Sequence, residues 1–287
     1  MHAPLRFLLF LLISVHLNAA DNSGGPVDLG APSSLRTGTL LREKREVRVQ
    51  EGKGRMQKSN SANDFFCRFV QRVNLVRRLQ GTDTEEVQVR EMVCELINYN
   101  GPAPQSVEQA GPLVGKTLRL RKLDGKWKCA LVGGKPTAEQ QKFLNDLAFT
   151  SLLLEIPEAC LINQTHKAGE TWKISINESN GKDYGAVVAK DIECTLAAVD
   201  EHPDGAQATV HIVGNFTMER PMNYLSRIEV AFDITLVRRL SDMLDVNTKI
   251  TGSLKNTAQV NDADGKPAQL ILELPYTLVR TQAVERK

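Results

Sequence analysis

The residues able to do chemistry are few and badly spaced for it. His166, His202 and His211 stand apart from one another and read as loop or exposed-strand residues. No nucleophile elbow, phosphate-cradling glycine loop, HExxH helix or dinucleotide fingerprint occurs, and no spacing calls for a cofactor or a metal. Asp262-x-Asp264-Gly265 echoes part of a calcium loop. In that loop Val260 would hold the first ligand position and Ile271 the twelfth, and neither side chain can ligate, so the stretch reads as a hairpin turn. Asp191, Glu193, Glu229 and Asp233 alternate with apolar residues, as carboxylates do on a solvated strand face. The sequence therefore leans away from an enzyme.

Five cysteines (67, 94, 129, 160 and 194) permit two disulfides and an odd thiol. Cys67, Cys129 and Cys194 fall on the apolar side of their strands, where a free cysteine serves as a small hydrophobe. Cys160 is the best-placed partner for a strand cysteine. Zero, one or two bridges all fit the spacing.

The elements that carry these residues are nearly all strands. Thr117–Leu123 and Lys126–Leu131 form the clearest hairpin, joined by Asp124-Gly125, the pair that a type I′ turn asks for. Leu40–Gln50, Phe65–Leu79 and Glu86–Ile97 are strand-like and strongly charged, and Tyr99–Gly115 reads as a long Pro/Gly-rich connection. From Trp172 onward, even-numbered positions carry the apolar side: Ile174 and Ile176, then Phe216, then Ile228 to Leu236, then Leu270 to Leu278 with Tyr276 among them. Odd positions carry Lys173, Glu193, Glu229, Asp233, Lys249 and Glu273. This period of two puts one dry and one wet face on an antiparallel meander.

A single helix, Thr137–Ile156, interrupts the strands. Thr137 and Gln140 have the spacing of a capping box, and Pro157 is expected to end the run. Phe143, Leu144, Leu147 and Ala148 make its apolar stripe, and Leu152, Leu153, Leu154 and Ile156 a wholly apolar end. About eleven strands laid flat would span some 50 Å, against about 10–12 Å for one helix. The predicted fold is therefore mainly β (α+β): a strongly curved antiparallel sheet, half-barrel or open barrel, wrapped around one helix.

Met1–Ala20 has Arg6, an apolar run Phe7–Leu17 and small residues before Asp21, the plan of a secretory signal peptide. The expected organisation is a signal peptide over 1–20, a flexible Gly/Pro/Ser-rich tether over 21–35 and one β half-barrel domain over 36–287. No later run is long enough to span a membrane, so the mature chain is expected to be exported and soluble, periplasmic or secreted. Residues 21–135 carry a net charge of +7 and residues 136–287 a net charge of −6. Strands of the two halves sharing one sheet account for that asymmetry without nucleic acid.

Ala168-Gly169-Glu170-Thr171-Trp172-Lys173, with Gly265 in the last-but-one turn, resembles the G-x-x-W strand opening of exported bacterial β proteins without assigned function. Their architecture is similar to the half-barrel of lipoprotein carriers, and the resemblance covers Thr117–Ala283 in order of elements. It implies an eleven-stranded curved sheet with helix over an apolar concave side. Two functions follow as expectations. One is binding of an apolar or amphiphilic, lipid-like ligand in the concave face, with Trp172, Leu152, Leu153, Phe216, Phe232 and Tyr276 as lining residues. The other is a structural or protein-interaction module of the cell envelope, with a filled core and an envelope protein as partner.

Overall fold

The computed structural model describes residues 25–30, 33–58, 61–81, 84–98, 105–123, 126–141, 144, 156–179, 186–221, 225–261 and 265–285. The signal peptide expected over 1–20 lies outside them.

Alternating sequence becomes strand almost throughout. In chain order the strands are β1 (Val27–Asp28), β2 (Leu40–Gln57), β3 (Ala62–Leu79), β4 (Thr84–Asn98), β5 (Gln105–Ala110), β6 (Thr117–Leu123) and β7 (Lys126–Leu131). They continue with β8 (Thr165–His166), β9 (Thr171–Ser179), β10 (Ala186–Asp200), β11 (Gln207–Pro221), β12 (Leu225–Arg239), β13 (Leu244–Asn261) and β14 (Pro267–Val284). Twelve of them form one antiparallel sheet in the order β7-β6-β4-β3-β2-β14-β13-β12-β11-β10-β9, with β5 added on β4. The two halves of the chain meet where β14 pairs β2, from Val284 opposite Leu41 to Gln269 opposite Gln57. β7 and β9 end the path without pairing each other, so the sheet is not closed into a barrel.

The twelfth strand, β5, lies inside the stretch expected as a connection. It pairs with β4 from Asn98 opposite Gln105 to Val93 opposite Ala110, and just beyond it Leu113 is fully buried. Residues expected as a tether are likewise used. β1 pairs β8, Leu29 is fully buried, and the Ser33 and Ser34 hydroxyls donate to the carbonyls of Asp242 and Ser241.

The helical part runs past the end expected at Ile156. Its start is as predicted: the Gln140 amide donates to Thr137 Oγ1 at 3.1 Å, and the Thr137 amide to Gln140 Oε1 at 3.0 Å. Most of the run, including Leu152 and Leu153, lies outside the described residues. Pro157, however, does not end the helical part, since residues 156–161 are helical. That segment ends at Asn163, whose φ of 57° is the left-handed turn that stops a helix.

Two apolar clusters fill the dry face. The larger draws on β2 and β9–β14 and includes Ile192, Leu196, Ile212, Phe216, Phe232, Ile234, Ile250, Tyr276 and Leu278, roofed by Leu29, Ile156, Cys160 and Leu161. The smaller joins Val73, Leu75, Val87, Val89, Met92, Leu113 and Leu118 to Leu144. Leu144 thus serves the N-terminal strands, while the segment over 156–161 serves the meander. Phe232→Ala should cost about 3–5 kcal/mol of unfolding free energy, and Lys249→Ala, on the wet face, under about 0.5 kcal/mol. Urea midpoints of the two variants check this.

Candidate functional site

Three of the predicted lining residues come together on the inner face. Phe216 and Phe232 are each 3% exposed and Tyr276 8%, and the two phenylalanine rings lie 6.2 Å apart at 40°. Strand pairing sets this row. Gly214 stands opposite Phe232, Phe232 opposite Gly252, and Gly252 opposite Tyr276. The aromatic side chains reach over the glycines. A Cβ at Gly214 would sit 2.9 Å from Phe232 Cζ, and one at Gly252 would sit 3.1 Å from the Tyr276 hydroxyl. That hydroxyl donates to the Ala231 carbonyl at 3.3 Å. Gly54 and Phe65 repeat the pattern on β2 and β3. A glycine within a strand marks such a close approach, and it was the available signal for this row.

Trp172 lies apart, on the edge strand β9, half-buried against the larger cluster. His166 is not isolated: its ring stacks on the indole with centroids 4.0 Å apart and planes within 9°. Glu170 Oε2 lies 3.2 Å from His166 Nδ1, and Gln164 Oε1 lies 2.9 Å from Nε2. The indole N–H donates to the Cys160 carbonyl at 3.4 Å. Asp191, Glu193, Glu229 and Asp233 are exposed, on the wet face as expected. Among the described residues no group of His, Cys, Asp and Glu could hold a metal ion.

Sequence reasoning missed a band of buried charge across the same inner face. Glu43 is 1% exposed and Arg45, Arg238 and Arg280 are 7–8% exposed. Glu43 accepts from Arg45 Nη2 at 2.6 Å, Arg77 Nη1 at 2.7 Å and Gln282 Nε2 at 2.8 Å. Arg77 donates onward to both oxygens of Glu85. On the other flank, Arg280 Nη2 donates to Asp245 Oδ2 at 3.3 Å and to Thr248 Oγ1 at 3.1 Å. Arg238 donates to Asp245 Oδ1 and to the Leu29 carbonyl, each at 2.6 Å. One group of ion pairs therefore spans β4, β3 and β2 and a second spans β14, β13 and β12, with the Gln282–Glu43 hydrogen bond joining β14 to the first. The second also ties down the N-terminal segment at Leu29. Burial alone would push the Glu43 carboxyl up, but Arg45, Arg77 and Arg280 hold it far below the ordinary carboxylate range. Burial pulls Arg280 down, with Arg77 and Arg45 acting the same way against Glu43 and Asp245.

At the opposite end of the strands the inner face is apolar and only half-covered. Leu254, Leu270, Leu272, Leu274 and Val260 are half-buried, as are Met56, Phe65 and Phe69 on β2 and β3. The inner surface thus grades from buried charge, through the aromatic–glycine row, to open aliphatic residues.

No protein-family model matches the chain, and no curated protein matches it. Neither comparison therefore supports the specific resemblance carried by Gly169 and Trp172. Among solved structures the chain is similar to one described as lipid–protein interactions in lipovitellin, with 8% identity and a TM-score of 0.43 over 88% of this chain and 25% of that one. It is also similar to Salmonella typhi OmpF in complex with daunomycin, with 7% identity and a TM-score of 0.22 over 86% of this chain and 98% of that one. The chain spans a quarter of the length of the lipovitellin chain. Scores of this size carry no functional inference.

Near neutrality Glu43→Gln should cost about 3–5 kcal/mol, because the buried Arg45 and the half-buried Arg77 lose the anion they share. Since the folded carboxyl lies below its ordinary value of 4.5, its stabilisation is present above that value and fades as pH falls below it. Urea midpoints of wild type and variant should therefore converge in acid. A gap that stays constant down to about pH 3 would place the Glu43 carboxylate outside the network.

Proposed function

We propose that the chain is an exported, soluble, non-catalytic envelope protein, periplasmic or secreted, that binds an apolar or amphiphilic, lipid-like ligand on the inner face of its sheet. The observation that carries this reading is the half-covered aliphatic end of that face, continuous with the Phe216–Phe232–Tyr276 row. Ligand sites for acyl chains are concave and mainly apolar, with few polar groups. An aliphatic surface left half-open on a sheet of this size is also a hazard in a monomer unless something occupies it.

The row supports the same reading. The Phe232 ring tip over Gly214 and the Tyr276 hydroxyl over Gly252 occupy space that a side chain at either glycine would fill. Trp172 and the His166 ring stacked on it stand at the edge-strand side of the surface, and Leu152 and Leu153 lie outside the described residues. Export is read from the signal-like residues 1–20. Among the described residues no helix is long and apolar enough to cross a membrane.

Titration of the delipidated protein with a fluorescent fatty-acid analogue tests the binding reading. Saturable binding in the micromolar range is expected, with a change in Trp emission that Trp172→Phe diminishes. Leu254→Glu and Leu274→Glu at the open end should each weaken binding at least about tenfold, the cost of a carboxylate in an apolar site. If no analogue binds below millimolar concentration and the delipidated protein keeps its stability, the inner face is filled core. The interaction-module reading then takes its place.

A further inference from the structure

Two of the cysteines meet at the joint between roof and sheet. Cys160 lies in the helical segment over 156–161, and Cys194 lies on the inner face of β10; both are fully buried in the larger cluster. The β9–β10 ladder places Trp172 directly opposite Cys194, and the Trp172 indole N–H reaches the Cys160 carbonyl at 3.4 Å. The helical backbone is therefore seated over the Cys194 position. Cys194 is the neighbour that acts most strongly on the Cys160 thiol, and neither is bridged. Cys94 and Cys129 pack in the other cluster, where Cys94 Sγ accepts from Gln71 Nε2 at 3.6 Å.

We propose that Cys160 and Cys194 form a disulfide that staples the helical roof to the floor of the sheet when the chain folds in an oxidising compartment. The oxidant is an external disulfide, either of the glutathione class or on a protein donor. One cysteine thiolate attacks that disulfide and expels the first external thiol, leaving a mixed disulfide on the protein. The second thiolate attacks the protein sulfur of the mixed disulfide, forms the Cys160–Cys194 bond and expels the second external thiol. Two protons and two electrons have then passed from the protein to the reagent.

The surroundings set when this happens. In the folded chain the neighbouring Cys194 thiol, reinforced by burial, raises the Cys160 thiol far above its ordinary range, so thiolate is scarce and the reagent has no access. The bond therefore forms as the helical segment docks, and once formed it is sheltered from reductants. Its formation requires no bound ligand, and an oxidising buffer stands in for the compartment that export would provide.

The full chain, reduced in denaturant, is refolded with a mixture of oxidised and reduced glutathione. It is then denatured, alkylated and mapped by peptide mass. A peptide containing Cys160 joined to one containing Cys194 is expected, with Cys94 and Cys129 alkylated. Reduced protein folded before the reagent is added should form the bond at least about tenfold more slowly than refolding protein. Reductant added in denaturant before refolding should lower the thermal midpoint of wild type but not that of Cys194→Ala. Recovery of Cys160 and Cys194 as alkylated thiols after refolding in glutathione, or of either joined to another cysteine, overturns the assignment. The wild-type map decides even if the variant does not fold.

Discussion

One-sided apolarity is the constraint on which this fold depends. Among the described residues of β9 to β14, buried or half-buried positions alternate with exposed ones over much of their length, so the sheet has a dry face that must be kept from water. Laid flat, twelve strands would present a dry face some 55 Å wide, many times the roughly 10 Å breadth of a helix. The described helical residues, with Leu29, roof only part of it. Bending of the strands also brings parts of that face together. Register shifts fall at Ala189–Ile192 of β10 and at Val49–Gly52 of β2, and bulges of this kind bend a strand and sharpen its twist. Asp191, inside the first shift, takes a φ of 54°.

The charged band gives the centre of the sheet a different kind of order. Buried ion pairs contribute little net stability over apolar packing, but losing one partner is costly. The Glu43 carboxylate is shared by Arg45 and Arg77, from its own strand and the next, and Asp245 by Arg238 and Arg280. A slip of one residue between β14 and β2 would strand these charges against leucines and valines. The band therefore specifies the register at the seam where the first and last long strands of the chain meet. Through Arg238 and the Leu29 carbonyl, it also fixes where the N-terminal segment crosses.

Much of this was legible in the sequence, for physical reasons. The hairpin of Thr117–Leu123 with Lys126–Leu131 follows from its turn residues, and the meander from a period of two that holds strand after strand. The capping box at Thr137 is a purely local signal and is borne out. What stayed hidden depends on partners distant in the chain. In β2 both faces carry charge, so the pattern around Glu43 and Arg45 does not reveal which charges are buried; the partner Gln282 is 239 residues away. β5 has almost no apolar alternation and sits among prolines and glycines, so only its pairing with β4 makes it a strand. Gly214 and Gly252 occupy even positions of the apolar series, and only strand pairing sets each against an aromatic residue.

The central claim is that the inner face of the sheet is completed by an apolar ligand rather than by the chain alone. Native mass spectrometry of the mature protein, purified from its own host without detergent, tests it most directly. The account predicts a species heavier than the polypeptide by the mass of one or more lipid-like molecules, released on organic extraction, with a lower thermal midpoint for the extracted protein. A polypeptide that flies only at its own mass, and whose midpoint extraction leaves unchanged, would contradict it.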